Sequence, residues 1–282
     1  MKKTYTIGLV LLTLCFVTCQ NAFAGWPIGK YRSIVVPSFN YYTAKDTWDK
    51  SGNKVKGVNG SGFTSYAAGL YVGYGLSRKL DLLVNVLVPF QSSKSVSTAG
   101  VVTPQSSSGF GDMQVGLNYA LVNFNYTGYL SVQASGIIPL YKNTNRDIAL
   151  GYGAYGSEVK LTYSGGINNK LIKGYFNLET GYRRYFDVDG PNVLIYSGSI
   201  GKSLPGRNQI SIEIGGQWAS SNNKTFSQNL SVNRDFAFTK GALNLGHTFT
   251  RRFSVFANGF YTLVGRNSGI GYGGALQTVI KI

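Results

Sequence analysis

The chain has almost no sulfur or imidazole to work with. Its 282 residues include two cysteines, Cys15 and Cys19, and one histidine, His247. Both cysteines lie in a stretch that reads as a removable secretory leader, residues 1–24. Lys2 and Lys3 open it, Ile7 to Val17 is apolar, and Ala22-Phe23-Ala24 supplies an A-x-A cleavage site before Gly25. Leu14 and Thr18, which precede the cysteines, fit a lipoprotein signal badly. Residues 25–282 then form one domain that is exported without disulfides or thiol chemistry. A Cys/His metal site is excluded, and neither a metal nor a cofactor is expected.

Acidic residues are also scarce: 11 Asp and Glu against 27 Lys and Arg, a net charge of +16. Such a balance suggests nucleic acid, but the cations flank strand-like segments at two opposite ends and form no stripe or motif. Long hydrophobic runs are missing as well. The leader's apolar run falls far short of the about 20 residues of a membrane-spanning helix, and no later run approaches that length.

What is abundant is glycine (37), tyrosine (20) and phenylalanine (16). Glycine is poor in helices and aromatics favour strands. Ser108 to Val122, SGFGDMQVGLNYALV, sets Asp112, Gln114, Gly116 and Asn118 on one face and Met113, Val115, Leu117 and Tyr119 on the other. The same two-residue period recurs near 32–45, 62–77, 82–90, 126–140, 154–165, 171–186, 193–204, 209–220, 241–250, 253–264 and 270–281. Connections alternate long and short: Asp46–Ser61 and Ser92–Ser107 are long, Ser77–Leu80 and Asn123–Asn125 short. Gln228–Phe238 could pass for a further strand, but an odd count would break the parity, so it reads as loop.

A soluble β-sandwich also alternates, but it puts many Lys and Glu on its wet face. Here the polar face is Ser, Gly, Asn, Gln and Thr, and the greasy face carries aromatics near strand ends, like interfacial girdles. The expected fold is therefore all-β: a transmembrane antiparallel up-and-down β-barrel of about 12 strands, with short turns and both termini on the periplasmic side.

The inward faces carry Asp112, Glu158, Lys160, Glu179, Arg183 and Glu213, the candidates for a lining of the lumen. They read either as a structural ladder of ion pairs or as a polar constriction that filters solutes. Cations in the short turns, among them Arg78, Lys79, Lys170, Arg207, Arg251 and Arg252, are expected at anionic inner-leaflet headgroups. Outer-loop cations such as Lys94, Lys142 and Lys224 read first as solvated loop charges, and otherwise as contacts for lipopolysaccharide phosphates or attractants for anionic solutes. His247 shares the lipid-facing side with Leu243 and Leu245 near the periplasmic end. A lipid-modifying enzyme would need a Ser and an Asn or acid beside it, and no such set stands out on the next strand, so no enzymatic activity is expected. Gly269 to Gly274 lacks a following helix and reads as barrel packing, not a phosphate loop.

Gly109-Phe110-Gly111-Asp112 followed by Val115-Gly116-Leu117-Asn118-Tyr119 resembles the signature of the meta-pathway phenol-degradation (transporter) family of outer-membrane proteins. Leu245-Gly246, Arg251-Arg252 and Leu263-Val264-Gly265-Arg266-Asn267 resemble its C-terminal half. The resemblance implies an outer-membrane location, the barrel-assembly machinery as a partner, and passage of small hydrophobic or aromatic solutes. The alternative expectation is a closed structural or surface-binding barrel with no transport role.

Overall fold

A computed structural model describes residues 26–58, 60–96, 100–144, 146–168, 173–226 and 232–282. The leader lies outside the described residues, as do Lys170, Leu171 and Gln228 to 231. No helix among the described residues is long and apolar enough to cross a membrane; the chain does it with strands. In order these are β1 (Ser33–Trp48), β2 (Lys54–Val55), β3 (Gly62–Gly75), β4 (Leu80–Val96), β5 (Val102–Ser108), β6 (Asp112–Phe124), β7 (Gly128–Pro139), β8 (Gly156–Asn168), β9 (Lys173–Tyr185), β10 (Asn192–Leu204), β11 (Asn208–Ser220), β12 (Ala237–Thr248), β13 (Phe253–Arg266) and β14 (Ser268–Lys281). All pair antiparallel with their neighbours, and β14 pairs with β1 from Ile34↔Lys281 to Trp48↔Ser268. The short β2 and β5 lie off the ring, which leaves a closed 12-stranded antiparallel barrel. Closure removes the sheet edge, so every strand has a ladder on both sides, as lipid requires.

Burial runs opposite to that of a soluble sheet. On β8, Glu158, Lys160, Thr162 and Ser164 are buried, while Val159 is 52%, Leu161 43% and Tyr163 39% exposed. Polar side chains fill the lumen and apolar ones face outward. Exposed aromatics form two belts: Tyr66, Phe90, Tyr182, Trp218 and Tyr261 towards one rim, Tyr74, Phe124, Tyr163 and Phe253 towards the other.

Several segments are more ordered than the sequence suggested. The Ser-rich Ser92–Ser107 segment was expected as loop. Instead β4 runs on to Val96 and pairs with β5, a hairpin that projects beyond the barrel. Its small polar and β-branched residues alternate well enough to keep the ladder going. β5 and β6 are one strand broken at Gly109–Gly111. Ser108 pairs with Phe90 and Met113 with Val86, so the broken strand carries one residue more than β4 between those pairs, a bulge. Gly109 and Gly111 still donate to Pro89 O (3.3 Å) and Leu87 O (2.8 Å). Gly109 has φ of 152°, and a Cβ there would meet Arg146 and Leu150 at 3.2 Å. β12 begins at Ala237, before the expected Gly241, and Asn267 alone, at φ 47°, joins β13 to β14. Of Gln228–Phe238, the last two residues belong to β12, and the described residues contain no additional barrel strand.

Candidate functional site

The sequence-predicted lumen residues fall into three places. Glu158 on β8 and Arg183 on β9 are direct cross-strand partners. Arg183 Nε donates to Glu158 Oε2 at 2.6 Å, and its second guanidinium nitrogen lies 2.5 Å from the same oxygen. Lys160 Nζ sits 3.7 Å from Glu158 Oε1 and 3.5 Å from Glu179 Oε1. Lys160 can reach both because Gly181 stands opposite it; a Cβ there would lie 2.6 Å from Lys160 Cγ. These four residues make one charge-balanced ladder. Glu213 on β11 makes no salt bridge with it but lies within electrostatic range of Glu179, and the cation that acts on Glu213 is Lys240 of β12. Asp112 stands at the rim where β6 begins. The Tyr141 hydroxyl donates to its carboxylate, and Gly153 N–H donates to the Tyr141 oxygen at 3.0 Å. Burial pushes the Tyr141 hydroxyl up from its ordinary pKa, so it stays a donor.

Three cavities follow one another along the lumen. The middle one, about 280 Å³, has Asn85, Gln114, Glu158, Lys160 and Arg183 in its wall. The outer one, about 380 Å³, shares Tyr42 and Lys240 with it and sets the rings of Phe63, Phe236, Phe238 and Phe260 among polar side chains. Gln91, Gln217, Asn233 and Asn267 place four amides among them. The third, about 670 Å³, opens at the periplasmic end. An apolar layer of Ile34, Val36, Phe256 and Val279, with Ile28 and Tyr71 packed on it, touches both the middle and the periplasmic cavities.

Residues outside the strands reach across both ends. At the outer end Tyr152, before β8, and Asn233 and Phe236, before β12, meet at the outer cavity. Tyr152 donates to Asn233 O at 2.7 Å and packs its ring on Tyr185. Asn233 Nδ2 donates to Asn267 O, and Asn267 Nδ2 to Asp235 O. Asp235 takes Arg266 at 2.6 Å and Lys224 at 3.0 Å. Burial raises its carboxyl pKa, but Arg266 and Lys224 outweigh that and hold it below the usual carboxylate range. Phe236, next in the chain, packs on the inward-facing Val193, Ile195 and Ala219. At the periplasmic end residues 26–28 cross the opening. Trp26 packs on Tyr129 of β7 at 5.2 Å, and Ile28 N–H donates to the carboxylate of Asp81 on β4 (3.2 and 3.3 Å). Neither cover was expected from the sequence. Their residues sit in segments without periodicity, where the visible signal was a run of Asn, Arg, Asp and Phe from 233 to 236.

His247 lies where the sequence placed it, at the periplasmic end beside Phe249. One expectation is corrected: an Asn does stand at its level. Asn208 pairs with it across β11 and β12, with Oδ1 2.7 Å from Nδ1. On the other side its cross-strand partner is Val255, so the nucleophile of a Ser-His pair is not supplied from β13. Among the described residues no cluster of His, Cys, Asp and Glu could hold a metal.

No family model matches the chain. No curated protein matches it either. Solved structures do. The chain is 16% identical to the COG4313 outer membrane channel from Pseudomonas putida F1, with a TM-score of 0.72 over 94% of this chain and 100% of that one. A second is the NanC porin, 11% identical over 88% of this chain and 98% of that one, with a TM-score of 0.50. At these identities the likeness is one of fold: the barrel architecture of outer-membrane proteins.

Proposed function

We propose that this protein is an outer-membrane channel for small hydrophobic or aromatic solutes, exported with residues 1–24 as its leader and inserted by the barrel-assembly machinery. The observation that carries the reading is the outer cavity. Soluble cores bury rings against rings, but here Phe63, Phe236, Phe238 and Phe260 leave about 380 Å³ empty. Cavities of this size lined by aromatics with a few amides bind apolar ligands and orient them. The outward apolar face supports the membrane location, and the Pseudomonas putida neighbour is itself a channel. The signature around Asp112 and the C-terminal motifs favour membership of the phenol-degradation transporter family. Lys94 and Lys142 suit lipopolysaccharide phosphates. Asn208 without a serine partner for His247 speaks against a lipid-modifying enzyme.

In this reading a solute enters under the Tyr152–Asn233 cover, rests among the rings, and passes the Glu158–Arg183–Lys160–Glu179 ladder. The ladder's balanced charges keep that wall polar without a net field. Uptake of radiolabelled toluene and phenol into proteoliposomes tests it. The expected result is uptake above empty vesicles that falls several-fold in the Phe236→Ala/Phe238→Ala variant. Uptake equal to empty vesicles for every solute, even with Tyr152→Phe, would favour the second reading, a closed barrel without transport. That reading draws on the residues that reach across both ends.

A further inference from the structure

We propose that the periplasmic cavity is an anion-binding vestibule that selects solutes carrying a carboxylate on a small apolar body. This deepens the channel reading above and rests on it for the route, though not for the binding site itself. The cavity of about 670 Å³ has Arg32, Arg251, Arg252 and Lys281 in its lining, and no Asp or Glu side chain among the described residues that line it. Elsewhere in the barrel the lumen's cations are answered: Arg183 and Lys160 by Glu158 and Glu179, Arg266 by Asp235. Arg32, Arg251 and Arg252 make no salt bridge with any described residue. Asp81, at the same end, is buried, and its carboxylate is occupied by Ile28 N–H and the Asn118 amide (3.3 Å).

Charged side chains of one sign on low-dielectric walls concentrate counter-ions, and the Ile282 oxygen in the same lining is taken by Ser33 N–H at 2.9 Å. Deeper in the same cavity Ser199, Gln209 and Asn177 supply neutral polar groups. Asn177 lines the cavity, and its Oδ1 is buried with no hydrogen-bond partner in the described structure. Trp26 and Tyr175 provide flat apolar surface beside these groups. Cations, neutral donors and rings in one space match a carboxylate attached to a ring or short chain. The aromatic outer cavity fits the apolar body of the same molecule.

The test uses Trp26 as its own reporter. The full chain in detergent, with Trp48→Phe and Trp218→Phe to leave Trp26 as the fluorophore, is titrated with sodium benzoate and with neutral benzamide. Benzoate is expected to change the emission saturably, at least tenfold more tightly than benzamide, and to weaken as NaCl screens the cations. Arg32→Gln/Arg251→Gln/Arg252→Gln is expected to lose that preference. Equal binding of the two probes, no benzoate response, or an unchanged triple variant would overturn the proposal. If the cations serve anionic headgroups instead, the triple variant loses retention on phosphatidylglycerol vesicles while benzoate binding is unaffected, which also overturns it. Toluene uptake that fails while benzoate still binds at Trp26 would remove the channel reading and keep the vestibule.

Discussion

Glu158 and Arg183 face each other across β8 and β9, with Arg183 Nε donating to Glu158 Oε2 at 2.6 Å inside the barrel. Glu158 is also one of the two carboxylates that hold Lys160. Its removal therefore strands a cation, and breaking one side of a buried pair costs about 3–5 kcal/mol. Glu158→Gln should lower the midpoint of urea unfolding, followed by the gel shift of heat-modifiable barrels. The double variant Glu158→Gln/Arg183→Gln should recover a large part of the loss, because no buried charge is left unanswered. A double variant no better than the single one would show that the pair is not coupled.

Glycine opposite an aromatic ring is a repeated device on this barrel wall. Gly246 pairs with Phe256, and a Cβ at Gly246 would lie 2.6 Å from that ring and 2.8 Å from Gln209 Cγ. Phe256 belongs to the apolar layer with Val36 and Val279, so the ring cannot swing away freely. Gly246→Val should destabilise by about 1–3 kcal/mol through overpacking. Gly246→Val combined with Phe256→Ala should relieve the clash, visible as recovered folding yield into micelles.

The barrel was legible because lipid enforces a strict alternation: every inward Glu158, Lys160 and Glu179 is bracketed by an outward Val159, Leu161 or Leu178. Strand positions follow from that period, with end parity deciding the count at Gln228–Phe238, but the rings of the outer cavity and the apolar layer around Val279 do not. The two covers were not legible, because Tyr152, Asn233 and Asp235 act through backbone carbonyls and single long-range bonds, which leave no periodic trace. The hairpin of β4 and β5 was missed for a related reason: outside the membrane a strand needs no apolar face, so Ser92 to Ser107 looked like loop. The turn cations Arg251 and Arg252 were visible, but the sequence could not say that they border a cavity.

His247 offers a sharp check on whether the barrel does any chemistry. Its Nδ1 lies 2.7 Å from Asn208 Oδ1, and Phe249 stacks edge-on at 4.5 Å. Both partners are at the surface, so His247→Phe should shift unfolding by no more than about 0.5 kcal/mol. Purified protein and the variant should be equally inert towards a fluorogenic phospholipid. Hydrolysis by the parent that vanishes in the variant would assign His247 a chemical role.

The outer cover should respond to acid, and the sign follows from Asp235. Its carboxyl is held below the usual range by Arg266 and Lys224 against the cost of burial. A carboxylate with a depressed folded pKa contributes stability that is complete above the unfolded value of about 3.9, and it is lost as pH falls through the folded value. The cover should therefore stay shut from neutral pH through mild acid and loosen only below about pH 4. Residues 25–282 contain no cysteine, so Thr225→Cys, at an exposed position in this segment, takes a single spin label. Its mobility should be low and flat between pH 8 and 5, taken in steps of about one unit, and rise in stronger acid. Asp235→Asn should show the mobile spectrum throughout, because a neutral amide cannot hold both cations. A mobility change centred near neutral pH would mean that some group other than Asp235 locks the cover.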